Sequence, residues 1–224
     1  MGFVVKKPPI NIGEDISLKS FETIEREIKN YREFEKFEKG EKEVVKRLIH
    51  TTACFKEVIE GIYFTKNAVS HIKNLLLKKA KIIVDTDMIK SGLSRFYTQR
   101  YSNEVICYTN YESIFKEAEK RSTTRSYAAA KKAVEEFENS PMILCCGNAP
   151  TFIYGAINTL VQRGADTKNI ALLVFPVGFV NVVESKEYAM EFLDYFNAEG
   201  IVMRGRFGSS TMAVASLHAI YRLI

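Results

Sequence analysis

Tryptophan is absent from this 224-residue chain, and proline, histidine and cysteine are sparse, at 5, 3 and 4 residues. Each scarcity excludes something. The cysteines, Cys54, Cys107, Cys145 and Cys146, form no C-x-x-C pair and no zinc-ligand spacing, which argues against a disulfide scaffold or a zinc site. They read as reduced thiols of a cytosolic core. The net charge is +5, yet no run of five or six basic residues and no aromatic-interleaved basic patch occurs, so nucleic acid is not expected as a partner. A smaller acidic ligand suits that balance. No apolar run reaches membrane-spanning length, and Met1 to Pro9 lacks the apolar core of a signal peptide; a soluble cytoplasmic protein is expected. Gly205-x-x-Gly208 lacks the spaced glycines of a dinucleotide fingerprint and there is no Walker A sequence, so a nucleotide cofactor is unsupported.

What is present fits one globular domain, with 46% hydrophobic and 26% charged residues. Residues 1–19, broken by Pro8-Pro9 and Gly13, read as an irregular N-terminal arm, leaving 20–224 as the domain. Ser20 stands as an N-cap before Phe21, Ile24 and Ile28. A second helix is expected to run to about Gly61, and a third over Asn67 to Lys79. From residue 80 the period changes. Ile82–Val84, Val105–Tyr108, Met142–Cys145 and Ala171–Phe175 are short continuous apolar runs, with Ile201–Met203 a shorter fifth, and such runs suit strands buried on both faces. Helical patterns around 122–138, 150–163, 184–197 and 209–222 alternate with them. The class is therefore α/β: a three-layer, doubly wound, mostly parallel sheet flanked by helices in a single domain.

Three strand-to-helix junctions are candidates for a ligand crevice: Gly147-Asn148-Ala149-Pro150-Thr151, Pro176-Val177-Gly178-Phe179-Val180 and Arg204 to Ser210. Open α/β sheets bind ligands beyond the carboxyl ends of their strands, where free N–H groups at helix starts favour anions. Asp85 and Asp87 flank Thr86 after the first strand, suited to capping, ligand hydrogen bonding or, weakly, a divalent metal. Arg121 and Arg125 are placed either to pair with ligand carboxylates or to form a solvated helix face.

The stretch Arg47-Leu48-Ile49-His50-Thr51 has its own asymmetry. Val44, Leu48, Phe55 and Ile59 make an apolar face, and His50 falls about 180° from its centre, with Arg47 and Cys54 alongside. Such a helix is either a surface helix or one wall of a pocket. His71 and His218 read as surface or packing residues.

Together, Ser20-Phe21, Arg47 to Thr51, Asp87-Met88-Ile89, Glu104 to Cys107, Thr124-Arg125, the first two junctions, Glu184-Ser185-Lys186 and Arg204-Gly205-Arg206 resemble the precorrin-8X methylmutase family, which also has a cobalt-precorrin-8 form. The resemblance spans nearly the whole chain from Ser20. It implies an isomerase of cobalamin biosynthesis that moves a methyl group from C11 to C12 of the corrin ring, giving cobyrinate or hydrogenobyrinate. It also implies a homodimer and no cofactor, any cobalt being carried by the substrate. His50 lines up with the family's proton donor and acceptor, and Ser20 and Arg47 with substrate contacts. Arg125, Asn148, Thr151, Gly178 and Phe179 complete the expected substrate-binding set, with no metal ligand. Thr51 stands where the family usually has alanine. The alternative from another class is a non-catalytic corrinoid carrier.

Overall fold

A computed structural model describes residues 8–10 and 12–224. Eleven helices and six strands follow in the order α1 (Gly13–Glu27), α2 (Lys39–Thr52), α3 (Phe55–Gly61), β1 (Ile62–Phe64), α4 (Ala68–Leu77), β2 (Lys81–Val84), α5 (Asp87–Gly92), α6 (Arg95–Arg100), β3 (Val105–Ile106), α7 (Glu112–Lys120), α8 (Arg125–Phe137), β4 (Met142–Cys146), α9 (Pro150–Arg163), β5 (Ile170–Val174), α10 (Val182–Tyr195), β6 (Glu199–Met203) and α11 (Ser210–Tyr221). They form one sheet of order β1-β6-β5-β4-β2-β3, parallel throughout except that β1 pairs antiparallel with β6.

The alternation of side chains along each strand divides the core. Ile82, Val84, Ile143, Cys145, Leu173, Ile201 and Met203 face one hydrophobic cluster, which α1, α2, α4 and α11 complete. Ile83, Met142, Leu144, Cys146, Leu172, Val174 and Val202 face the other, beneath α7 to α10. This is the three-layer class expected from the continuous apolar runs.

Several expectations change. The first helix begins at Gly13, so the arm is not irregular up to residue 19, and Ser20 lies inside the helix instead of capping it. The helix starts about two turns earlier, at the glycine read as a breaker, and its first turn carries the acidic pair Glu14 and Asp15 that suits a helix N-terminus. The second helical pattern is two helices. Its first half opens with a reciprocal cap between Glu38 and Glu41 and closes at Ala53, which adopts the left-handed conformation at φ 57°. β1, with α5, α6 and α7, went unmarked by the sequence pattern.

The parallel strands wind outward in both directions from β2, whose neighbours are β3 on one side and β4 on the other. The crevice of a doubly wound sheet lies at this reversal, here between the carboxyl ends of β2 and β4. On the opposite layer, α8 and α9 come close because α8 buries Ala128, Ala129, Ala130 and Ala133, and α9 has Gly155 at the crossing. A Cβ at Gly155 would stand 2.4 Å from the Tyr127 carbonyl oxygen. Gly155→Ala is therefore expected to cost about 1–3 kcal/mol by overpacking. A melting temperature unchanged by the substitution would show that the two helices separate freely.

Candidate functional site

The β4–α9 junction is built on a buried anion. Asp85, only 2% exposed at the end of β2, accepts hydrogen bonds from the backbone N–H groups of Gly147 (3.0 Å), Asn148 (2.8 Å) and Ala149 (2.6 Å). Burial pushes its carboxyl pKa up, while the three amides pull against that. The amides expected to greet a ligand anion are thus taken by the protein's own carboxylate. Of the readings open to Asp85, capping is the nearest to what is seen, but the amides it takes belong to the loop that leads from another strand into α9 and not to a helix of its own. Asp87 instead accepts from Asn110 Nδ2 at 2.6 Å. Among the described residues no group of three or more His, Cys, Asp or Glu is placed to hold a metal ion.

The β6–α11 junction has the opposite charge at its centre. Lys186 is 1% exposed and donates through Nζ to the carbonyl oxygens of Gly205 (2.7 Å) and Phe207 (2.8 Å). Burial without a carboxylate partner pulls its pKa down to about 8. Gly208 follows, where a Cβ would meet the Phe175 and Pro176 carbonyl oxygens at 2.3 and 2.5 Å; only glycine lets the two loops touch. Gly147 presses equally closely on Ser210 Cα, joining the β4 loop to the start of α11.

Beside these loops, α2 and α11 enclose a cleft of about 340 Å³ lined by Arg47, Thr51, Met88, Ser210, Thr211 and His218, among others. Arg47 lines it. His50 does not line it. Its exposed imidazole lies flat on Phe21 of α1, with ring centroids 4.8 Å apart and planes 4° from parallel, and the Arg47 guanidinium stands 4.9 Å from the same phenyl ring. Ser20 adjoins Phe21, half-buried. The structure thus brings Arg47 and His50 together around one aromatic ring, with Ser20 next to that ring in the chain. Partial burial, then Arg47 and Arg222, hold the His50 pKa below its ordinary value.

The remaining predicted residues form two further groups at the strand ends. Thr124 Oγ1 donates to Thr151 Oγ1 at 2.7 Å, tying the starts of α8 and α9 together, with the Arg125 guanidinium 4.5 Å from the Phe115 ring centre and Asn148 exposed alongside. Arg121 is engaged by Glu117, which favours the solvated-face alternative for that arginine. Gly178, at φ 139°, precedes Phe179, which is 83% exposed and lies 5.4 Å beneath the Arg206 guanidinium. A larger groove of about 620 Å³ between α9 and α10 contains none of these residues and has an apolar lining that includes Ile157, Val161 and Phe192.

A family model described as precorrin-8X methylmutase matches residues 15–223. The chain belongs to this family. Among methylmutases, it is 34% identical over 217 residues to a cobalt-precorrin-8 methylmutase of Leptospira interrogans, covering 95% of this chain and 94% of the relative. A precorrin-8X methylmutase of Pseudomonas aeruginosa is also 34% identical, over 78% of this chain and 80% of the relative. The solved precorrin-8x methyl mutase of Thermus thermophilus superposes with a TM-score of 0.79 at 32% identity, covering 93% of this chain and 96% of that one.

Around this candidate site of the methylmutase, sequence reasoning missed the placement of His218 in the cleft, Phe21 as the platform for His50, and the bracing by Lys186. The Lys186 environment gives a measurable pH signature. Between pH 8 and about 10.4 the unfolded chain holds the Lys186 proton more tightly than the folded one, so this residue makes stability rise with pH across that window. Chemical denaturation of Lys186→Met at pH 7.5 and 10 is expected to show less of that rise than the unsubstituted protein. Identical slopes would mean that Lys186 titrates normally.

Proposed function

We propose that this methylmutase moves a methyl group from C11 to C12 of the corrin ring of (cobalt-)precorrin-8, as an isomerase of cobalamin biosynthesis. The match along 15–223 carries this reading, and the relatives covered nearly end to end are named as enzymes, which disfavours the carrier alternative. A shift between adjacent ring carbons needs no redox or nucleotide partner. Any cobalt belongs to the substrate.

His50 is the proton-handling group of the proposed reaction. Protonating the conjugated ring makes it electron-poor and favours migration, and imidazole changes charge near neutral pH. Phe21 fixes the plane of the imidazole and covers one of its faces. In the free protein Arg47 and Arg222 disfavour its cation. A ring rimmed with acetate and propionate groups brings negative charge to those arginines, and so raises the proton affinity of His50 as the site fills. Ser20, Arg47 and Arg125 contact the rim in this reading. The exposed Asn148 and Phe179, with Thr151 and Gly178, form the wall on the far side of the strand ends.

The reaction is expected to take place in the cytoplasm, and the active assembly is a homodimer in this reading. Val177, Phe179 and Val180 leave apolar surface beside the site for a second copy to cover. Sedimentation at micromolar concentration should give twice the mass of one chain; a monomer at that concentration would remove the dimer from the proposal.

Replacing His50 by alanine is expected to lose conversion of the precorrin-8 substrate by at least about a hundredfold while retaining binding of the corrin product. Full turnover by that variant would sink the role of His50. With only three histidines in the chain, an NMR titration resolves each. His50 should titrate below about 6.5 alone and move upward with product bound.

A further inference from the structure

His218 stands in the cleft with one nitrogen already committed. The backbone N–H of Ser94 donates to its Nε2 at 3.0 Å. A backbone amide is only ever a donor, so Nε2 is the unprotonated nitrogen and neutral His218 carries its hydrogen on Nδ1. Protonating Nε2 would set two N–H groups against each other. Partial burial, Arg47 and Arg222 disfavour the cation as well. Nδ1 has no partner among the described residues, and no buried side-chain nitrogen among them lacks one, so Nδ1 is open to solvent. His218 is thus a neutral hydrogen-bond donor of fixed tautomer.

Its surroundings are cationic, and among the described residues no carboxylate side chain is paired with Arg47, Arg222 or His218. Arg47 lines the same cleft, and Arg222 lies near enough to repel Arg47, His50 and His218. The nearest acidic candidate on α2, Glu43, is held by Lys46 at 2.6 Å. Residues 1–7 and 11, which lie outside the described set, contain no aspartate or glutamate that would serve instead. Hydroxyls of Thr51 and Thr211 complete the lining, but each is occupied, the first donating to the Arg47 carbonyl and the second paired with Ser209. Among the described residues of the lining, the donors left without a partner are the Arg47 guanidinium, the imidazole N–H and the weaker Ser210 hydroxyl.

We propose that this cleft is a subsite for one carboxylate arm of the substrate, gripped by the Arg47 guanidinium and the Nδ1–H of His218, with Arg222 adding longer-range attraction. The inference rests on the methylmutase reading, since it takes the ligand to be a ring bearing carboxylates. It assigns to His218 a binding role that packing alone would not need. A neutral donor beside a guanidinium suits an anion well: it adds a hydrogen bond without adding to the repulsion between Arg47 and Arg222 in the empty site.

The test measures binding of hydrogenobyrinate to the full chain by change in its visible spectrum. His218→Gln keeps an oxygen able to accept from Ser94 N–H and removes the Nδ1 donor. Its dissociation constant is expected to rise about tenfold, in line with a lost hydrogen bond to a charged group, with melting temperature unchanged. Arg222→Gln, at an exposed position, should weaken binding about threefold at low salt, a difference that closes near ~0.5 M salt as screening removes it. Affinity of His218→Gln within twofold of the unsubstituted protein would overturn the subsite, and so would a loss matched by a fall in melting temperature. If the unsubstituted protein binds neither hydrogenobyrinate nor its cobalt form, cobyrinate, the reading of this site as the methylmutase site fails and takes this inference with it. If it binds and both variants bind equally well, this inference alone falls.

Discussion

The carboxylate of Asp85 holds the reversal point of the sheet together. It sits at the end of β2 and receives three successive amides from the loop that follows β4. The two central parallel strands are thereby tied where a doubly wound sheet would otherwise gape. The bond also settles which part of the crevice attracts anions. An α/β sheet commonly offers the free N–H groups of a helix start to a phosphate or carboxylate. Here the protein fills that position with its own side chain. Attraction for a ligand must come from elsewhere, and in the proposed subsite it comes from Arg47 of α2 and Arg222 just after α11.

Lys186 is the counterpart of Asp85 on the other side of the crevice. One buried anion collects amides and one buried cation collects carbonyls, so each loop is held through backbone groups by an uncompensated charge. Neither arrangement is cheap in desolvation. Each fixes a loop that carries exposed side chains: Asn148 on the first, Arg204 and Arg206 on the second. Backbone anchoring leaves those outward side chains free to face a ligand.

Much of the architecture was readable in advance for a physical reason. Strands buried on both faces must be apolar at every position, so β2, β4, β5 and β6 appear as continuous runs. β1 did not, because Ile62-Tyr63-Phe64 is three residues long and continues the apolar spacing of the helix before it. The direction of His50 was legible from helical geometry: it does point away from the packed face of α2. Its stacking on Phe21 was not, nor was its position beside the cleft instead of in it. The role of His218 was hidden for a similar reason. Its partner, Ser94, is 124 residues away in sequence and belongs to a turn that no local pattern marks. Long-range pairs of this kind carry most of what distinguishes a functional histidine from a packing one.

Phe21 bears the imidazole of His50 and the guanidinium of Arg47 on a single ring. The group proposed to move a proton and the group proposed to seat an anion therefore rest on one ring, supplied by a helix that is no part of the sheet. Both side chains stand on α2, one turn apart, so α2 sets their spacing while α1 supplies the surface they rest on. Adjustment of this site to a ring of different rim or thickness can proceed through residue 21 and its neighbours, without altering either reacting side chain.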